Sequence, residues 1–233
     1  MLYNAGSTNR LDISGSDKSE EISIPILTTK LSIPPKRPDW VLRARLIDQL
    51  DQALGKKLVL VSAPAGFGKT TLIASWLHNL GDRGDTRAAW LSLEEADNDP
   101  IRFLAHLIAS LQTIDQRIGL EARLFLEMHI PRLTHPMTLL INDLAALQGQ
   151  VILVFDDYHV IDHAELQTAV TFFLDHLPPH FHLIVTTREE PSFPLPRLRA
   201  KWEVLELNLQ DLRFIGEETA TFLKRTMGLA LTA

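Results

Sequence analysis

The chain has 233 residues, of which 45% are hydrophobic and 22% charged, an ordinary soluble composition with enough apolar material for one sizeable core. A formal net charge of −6 argues against non-specific attraction to nucleic acid or to an anionic membrane. The absence of cysteine excludes disulfides, thiolate metal sites and cysteine nucleophiles and fits a cytoplasmic setting; no signal peptide and no membrane-spanning run is visible.

Residues 1–21 are polar and aperiodic and read as a disordered leader. Ile22 to Pro38 holds four prolines and reads as an extended arm. Between Trp40 and Leu54, Val41, Leu42, Leu46, Ile47 and Leu50 recur at helical spacing, with Gly55 placed as a C-cap. The arm and this helix form one unit, 22–56, ahead of a core at 57–215.

The core opens on a strand at about Lys57–Ser62 and continues through Ser62-Ala63-Pro64-Ala65-Gly66-Phe67-Gly68-Lys69-Thr70-Thr71 into an amphipathic helix ending near Gly81. Strand, glycine-rich turn, Lys-Thr and helix are the parts of a phosphate-binding loop. Backbone N–H groups from Ala65 to Thr71 face an anion, Lys69 brings a point charge to the β- and γ-phosphates, and the Thr70 hydroxyl suits Mg²⁺. The consensus has glycine where this chain has Ala63; alanine serves there if the first turn needs no positive φ.

Ala88–Leu93 reads as a second strand. Asp99-Pro100 is an N-cap followed by proline at N1, opening a helix with Ile101, Leu104, Ile108 and Leu111 on one face. Helical pieces follow near 119–128 and 137–148. Val151–Phe155 is an uninterrupted apolar run, as a strand buried on both faces requires, and it ends in Asp156-Asp157. An apolar strand running into acid is the Walker B pattern: Asp156 would hold Mg²⁺ beside the loop, and Asp157 could polarise an attacking water. Asp162 and Glu165 suggest a capping box for a helix reaching Leu177, which Pro178-Pro179 stops. His182–Thr187 and Glu203–Leu207 are further strands, and Glu217 to Met227 a last helix.

Arg188, directly after the fourth strand, fits a γ-phosphate sensor and a solvated strand end equally well. Arg197, Arg199 and Lys201 form a short basic cluster that suits a solvated helix face better than a phosphate contact. His159 and His163 lack a third ligand, and Trp76 and Trp90 belong to the core. Strands alternating with helices specify an α/β fold with a parallel sheet covered on both faces. Residues 216–233 read as the start of a following helical region that stops without an end signal.

Taken together these stretches resemble the nucleotide-binding, NB-ARC-like domain of the MalT-like branch of LuxR-type regulators, within the STAND class of P-loop ATPases. The resemblance is carried by Thr29-Lys30-Leu31, Val41-Leu42-Arg43-Ala44-Arg45-Leu46, the loop itself, Ala89-Trp90-Leu91-Ser92-Leu93-Glu94 with Asp97-Asn98-Asp99-Pro100, Asp156-Asp157-Tyr158-His159, Leu195 to Ala200, and Asp211-Leu212-Arg213-Phe214. It implies a P-loop NTPase core of the ASCE type, a five-stranded sheet in the order 5-1-4-3-2, and ATP or ADP bound with Mg²⁺. It implies Lys69 and Thr70 on phosphate and Mg²⁺, Asp156 on Mg²⁺, Asp157 in catalysis, Arg188 as sensor, and Val41 and Arg43 near the base. The expected role is a slowly hydrolysing signal-transduction switch. The alternative is a non-hydrolysing ATP- or ADP-binding interaction module, and self-association or association with regulator domains stays open. The sensor and DNA-binding parts of such regulators are not recognisable here, so specific DNA binding by this chain alone is not expected.

Overall fold

A computed structural model describes residues 24–38, 40–81, 86–127 and 133–227. The expected leader and the abrupt end after Gly228 lie outside them. Strands β1 (Leu58–Ser62), β2 (Thr86–Ser92), β3 (Gln150–Asp156), β4 (Phe181–Thr187) and β5 (Val204–Leu207) form a five-stranded sheet in the order β2-β3-β4-β1-β5. Every pairing is parallel, so the expected 5-1-4-3-2 order holds when read from the other edge.

The strands alternate their side chains between two separate cores. On one face Leu58, Leu60, Ala89, Leu91, Leu153, Phe155, Leu183 and Val185 pack with α3 (Pro100–Gln112), α4 (Leu120–Glu127), α5 (Thr134–Ala145), α6 (Ala164–His176) and α7 (Leu195–Ala200). On the other, Val59, Val61, Trp90, Ile152, Val154 and Ile184 pack with α1 (Ala44–Gln52) and α2 (Lys69–Gly81). This is the two-sided burial that continuous apolar strands call for. The chain then closes with α8 (Leu209–Leu212) and α9 (Gly216–Met227).

Asp99 caps α3 as expected, its carboxylate accepting the Arg102 amide at 2.8 Å with Pro100 at N1. Three local expectations change. The first helix begins at Ala44, not Trp40: residues 40–43 are not helical, and Arg43 (φ −104, ψ 72) stands at its N-cap. It ends at Gln52, and Gly55 closes a 3-10 turn instead of capping it. The Asp162–Glu165 capping box does not form: Asp162 binds the Asn98 amide, and Glu165 accepts the Leu133 amide at 3.2 Å. Tertiary partners thus outbid a local cap. Two members of the basic cluster are paired with acids, Arg197 with Asp175 and Arg199 with Glu206 at 2.6 Å.

Candidate nucleotide site

Strand β1, an inner strand next to the β5 edge, pairs with β4 on one side and β5 on the other, and delivers the loop to the sheet's C-terminal edge. Ala63 donates its amide to Thr187 O at 3.2 Å and does not adopt positive φ, so glycine is not needed there. Gly66 (φ 86) and Gly68 (φ 75) do adopt it, with open space where a Cβ would stand. The restriction at those two positions is conformational. Gly68 O accepts the first helical bond of α2, from Leu72, which leaves the amides of the opening turn without helical acceptors.

Lys69 is 6% exposed, and its Nζ donates to Ala63 O at 2.8 Å and Pro64 O at 3.1 Å. Burial draws its pKa down, and the charge of Asp157 pushes back. Thr70 Oγ1 donates to Asp156 at 3.0 and 3.1 Å across 86 residues of sequence. Thr186 Oγ1 donates to the same carboxylate at 2.6 Å and accepts the Asp157 amide at 3.0 Å. Asp156, 4% exposed, has its pKa raised, chiefly by desolvation, against the hydroxyl bonds that favour the anion.

Asp157 turns off the sheet in a left-handed conformation (φ 58, ψ 40), with its side chain 43% exposed and 3.7 Å from His159 Nδ1. Arg188 stands exposed just past β4, and its charge is felt at both Lys69 and His159. One strand edge therefore gathers Lys69, Thr70, Asp156, Asp157 and Arg188. Thr186 joins them with no sequence signal beyond its place two residues before Arg188.

Beside the loop lies a cavity of about 640 Å³. Gly66, Phe67, Gly68, Thr71 and Leu72 form one wall, and Trp40, Val41, Arg43 and Ile47 a second; Leu212, Arg213, Phe214 and Phe222 contribute a third. Val41 and Arg43 thus line a mostly apolar space contiguous with the loop, the usual character of a small-molecule site. Ala65 lies on the exposed crest of the loop. The third wall was not legible as such in the sequence, although Asp211 to Phe214 was among the resembling stretches. Among the described residues no group of three His, Asp or Glu side chains is built to hold a metal by itself, and no helix is long and apolar enough to cross a membrane.

A parallel sheet with a glycine-rich loop after an inner strand and a buried acid at the end of β3, one strand removed across β4, defines a P-loop ATPase domain. The chain belongs to the AAA ATPase domain family, which matches residues 39–186. More narrowly it is a MalT-like ATPase domain. It is 35% identical over 198 residues to the HTH-type transcriptional regulator MalT of Cronobacter sakazakii, and 34% identical to that of Yersinia enterocolitica. Those alignments cover 84% of this chain but 21% of each relative, so the chain spans about a fifth of their length. Among solved structures, the Escherichia coli MS115-1 HORMA:CdnC:Trip13 complex contains a chain of similar fold. Its TM-score is 0.51 at 17% identity, over 84% of this chain and 71% of that one.

Proposed function

We propose that this chain binds ATP with Mg²⁺ and hydrolyses it slowly, serving as the cytoplasmic nucleotide switch of a MalT-type transcriptional regulator. One observation carries the reading. Asp156 is a buried carboxylate held by two hydroxyls and paired with no cation among the described residues, directly beside Lys69 and the open amides of α2. A buried anion without a counter-ion is costly. The donor set, one carboxylate and one hydroxyl next to a phosphate cradle, suits Mg²⁺, which prefers one or two protein oxygens plus substrate phosphate.

In this reading the amides from Ala65 to Thr71 cradle the phosphates, and Lys69 leaves the loop carbonyls to meet the β- and γ-oxygens. Thr70 and Asp156 would hold Mg²⁺, which would supply positive charge to offset the negative charge on the transferred phosphoryl group. Asp157 orients and deprotonates the attacking water, helped by its exposed position at the strand edge, and Arg188 faces the γ-phosphate. Val41 and Arg43 border the base. The division into arm (22–56), core (57–215) and a following region from 216 belongs to the same proposal. So does the lack of specific DNA binding, supported by the net charge of −6 and by the pairing of Arg197 and Arg199 with acids.

Single-turnover hydrolysis of ATP by the wild type and Asp157→Asn tests the switch. The substitution keeps the size of the side chain and removes the base, so hydrolysis should slow by about 10²–10⁴-fold while ATP binding persists. Equal turnover in the two proteins, with binding intact, would make the chain a non-hydrolysing nucleotide-binding module instead.

A further inference from the structure

The third wall of the cavity is held by one small set of charges. Arg43, 6% exposed, donates from Nη2 to Leu212 O at 2.8 Å and Arg213 O at 3.1 Å. Its guanidinium lies 4.9 Å over the ring of Phe214, and its Nε is 3.4 Å from Glu218 Oε2. Arg45 reaches the same carboxylate, Nε to Oε1 at 3.1 Å, and donates to Arg213 O at 2.8 Å. Glu218, also 6% exposed, sits in the first turn of α9 and accepts the Ile215 amide at 3.2 Å. A single carboxylate therefore serves two guanidiniums that come from the segment just before α1 and from its first turn.

This arrangement spans the cavity. Arg43 stands on the wall contributed by the arm, while Phe214 and Phe222 belong to the wall contributed by the chain after β5. Removing the carboxylate leaves a buried arginine facing only carbonyl dipoles and the Phe214 ring, and removes the acceptor of the Ile215 amide at the start of α9. Losing one partner of a buried, hydrogen-bonded charge pair acts mainly on dissociation.

We propose that Arg43, Arg45 and Glu218 form a latch that holds segment 209–227 against the nucleoside cavity and thereby sets the rate at which nucleotide leaves. The proposal rests on the nucleotide-binding reading above and adds to it how the site is regulated. A bound nucleotide is retained by two separable sets of contacts, the loop on the phosphates and the latched wall on the nucleoside. Whatever pulls α9 away from Arg45 then releases the nucleotide without touching the loop.

The test uses N-methylanthraniloyl-ADP with Mg²⁺, chased by excess unlabelled ADP in stopped flow, on the wild type and Glu218→Gln. The off-rate should rise about tenfold or more, as expected for the loss of a buried interfacial charge. The dissociation constant of pyrophosphate, which would touch only the loop, corrected for the probe's own affinity, should stay unchanged, and an equal loss of pyrophosphate affinity overturns the latch. Amide hydrogen exchange across 209–227 in the nucleotide-free variant should quicken. Wild-type protein that binds no labelled ADP overturns the nucleotide reading and the latch with it. Wild-type binding with an unchanged off-rate in Glu218→Gln overturns the latch alone, as does unchanged amide protection. If Glu218→Gln does not fold, Arg45→Gln, at the more exposed of the two arginines (32% against 6%), provides the same readouts.

Discussion

Two buried aspartates stand near the C-terminal ends of neighbouring strands, and they are wired in opposite ways. Asp97, in the turn after β2, is fully buried and already has its partners: the cations Lys30, from the arm, and Arg102, with Nε at 3.5 Å, and the imidazole of His106, with Nδ1 at 2.9 Å. It also accepts the Glu94 amide at 2.9 Å. Asp156, at the end of β3, accepts two hydroxyls and is paired with no cation among the described residues, while nearby Lys69 is turned to loop carbonyls. The first cluster is electrostatically closed and clamps the arm to the sheet. The second has no cation in contact among the described residues, which is what the proposed Mg²⁺ role asks of it. Burial alone does not separate a structural acid from a ligand-binding one; the identity of its partners does.

Removing each acid is the strongest way to break this comparison. Asp97→Ala leaves the buried Lys30 with only the exposed Glu94 carboxylate, 3.3 Å away, so it should destabilise the fold by up to about 3–5 kcal/mol, read as a lower midpoint in urea denaturation. Asp156→Ala strands no cation and relieves a desolvated charge, so its loss of stability should be clearly smaller. Equal losses at the two positions would show that the wiring does not matter.

A smaller effect is expected on the ligand side. Lys69→Ala removes a charged donor that serves only loop carbonyls in the free protein, so the melting temperature should change little. ATP affinity should weaken by about 1.5–3 kcal/mol, the worth of a hydrogen bond to a charged group, or roughly 10–100-fold by titration calorimetry with Mg²⁺. Unchanged affinity in a folded variant would remove Lys69 from the site.

The smallest expected effect is on pH dependence, and the two clusters should differ in sign. His106, inside the Asp97 cluster, has its pKa lowered below 6.5, first by burial. The unfolded chain then binds more protons below that value, so the contribution of His106 to stability is present above pH 6.5 and lost as pH falls below it. Asp156 has its pKa raised above 3.8, so the folded chain binds more protons there and stability falls as pH rises from 3.8 toward the raised value. Melting curves of the wild type and His106→Gln should differ in slope below pH 6.5 and run parallel above it.

The sequence by itself determined the strand–loop–helix unit at 58–81, the acidic end of β3 and the parallel α/β class. Each is written in local terms: an apolar run, two glycines at fixed offsets, a lysine and a threonine opening a helix. It also identified Asp99 as a cap, because a cap needs only its own first turn. It did not reveal α8, at four residues too short to show a period. It misjudged Asp162 and Glu165, whose oxygens found partners from distant segments. Tertiary structure alone decided that Thr186 would share Asp156 with Thr70, that Lys30 would meet Asp97 across 67 residues, and that Arg43 would reach carbonyls 169 residues away. Backbone conformation is set by neighbours along the chain, whereas the partner of a buried charge is set by whichever segment the sheet order brings to the same edge.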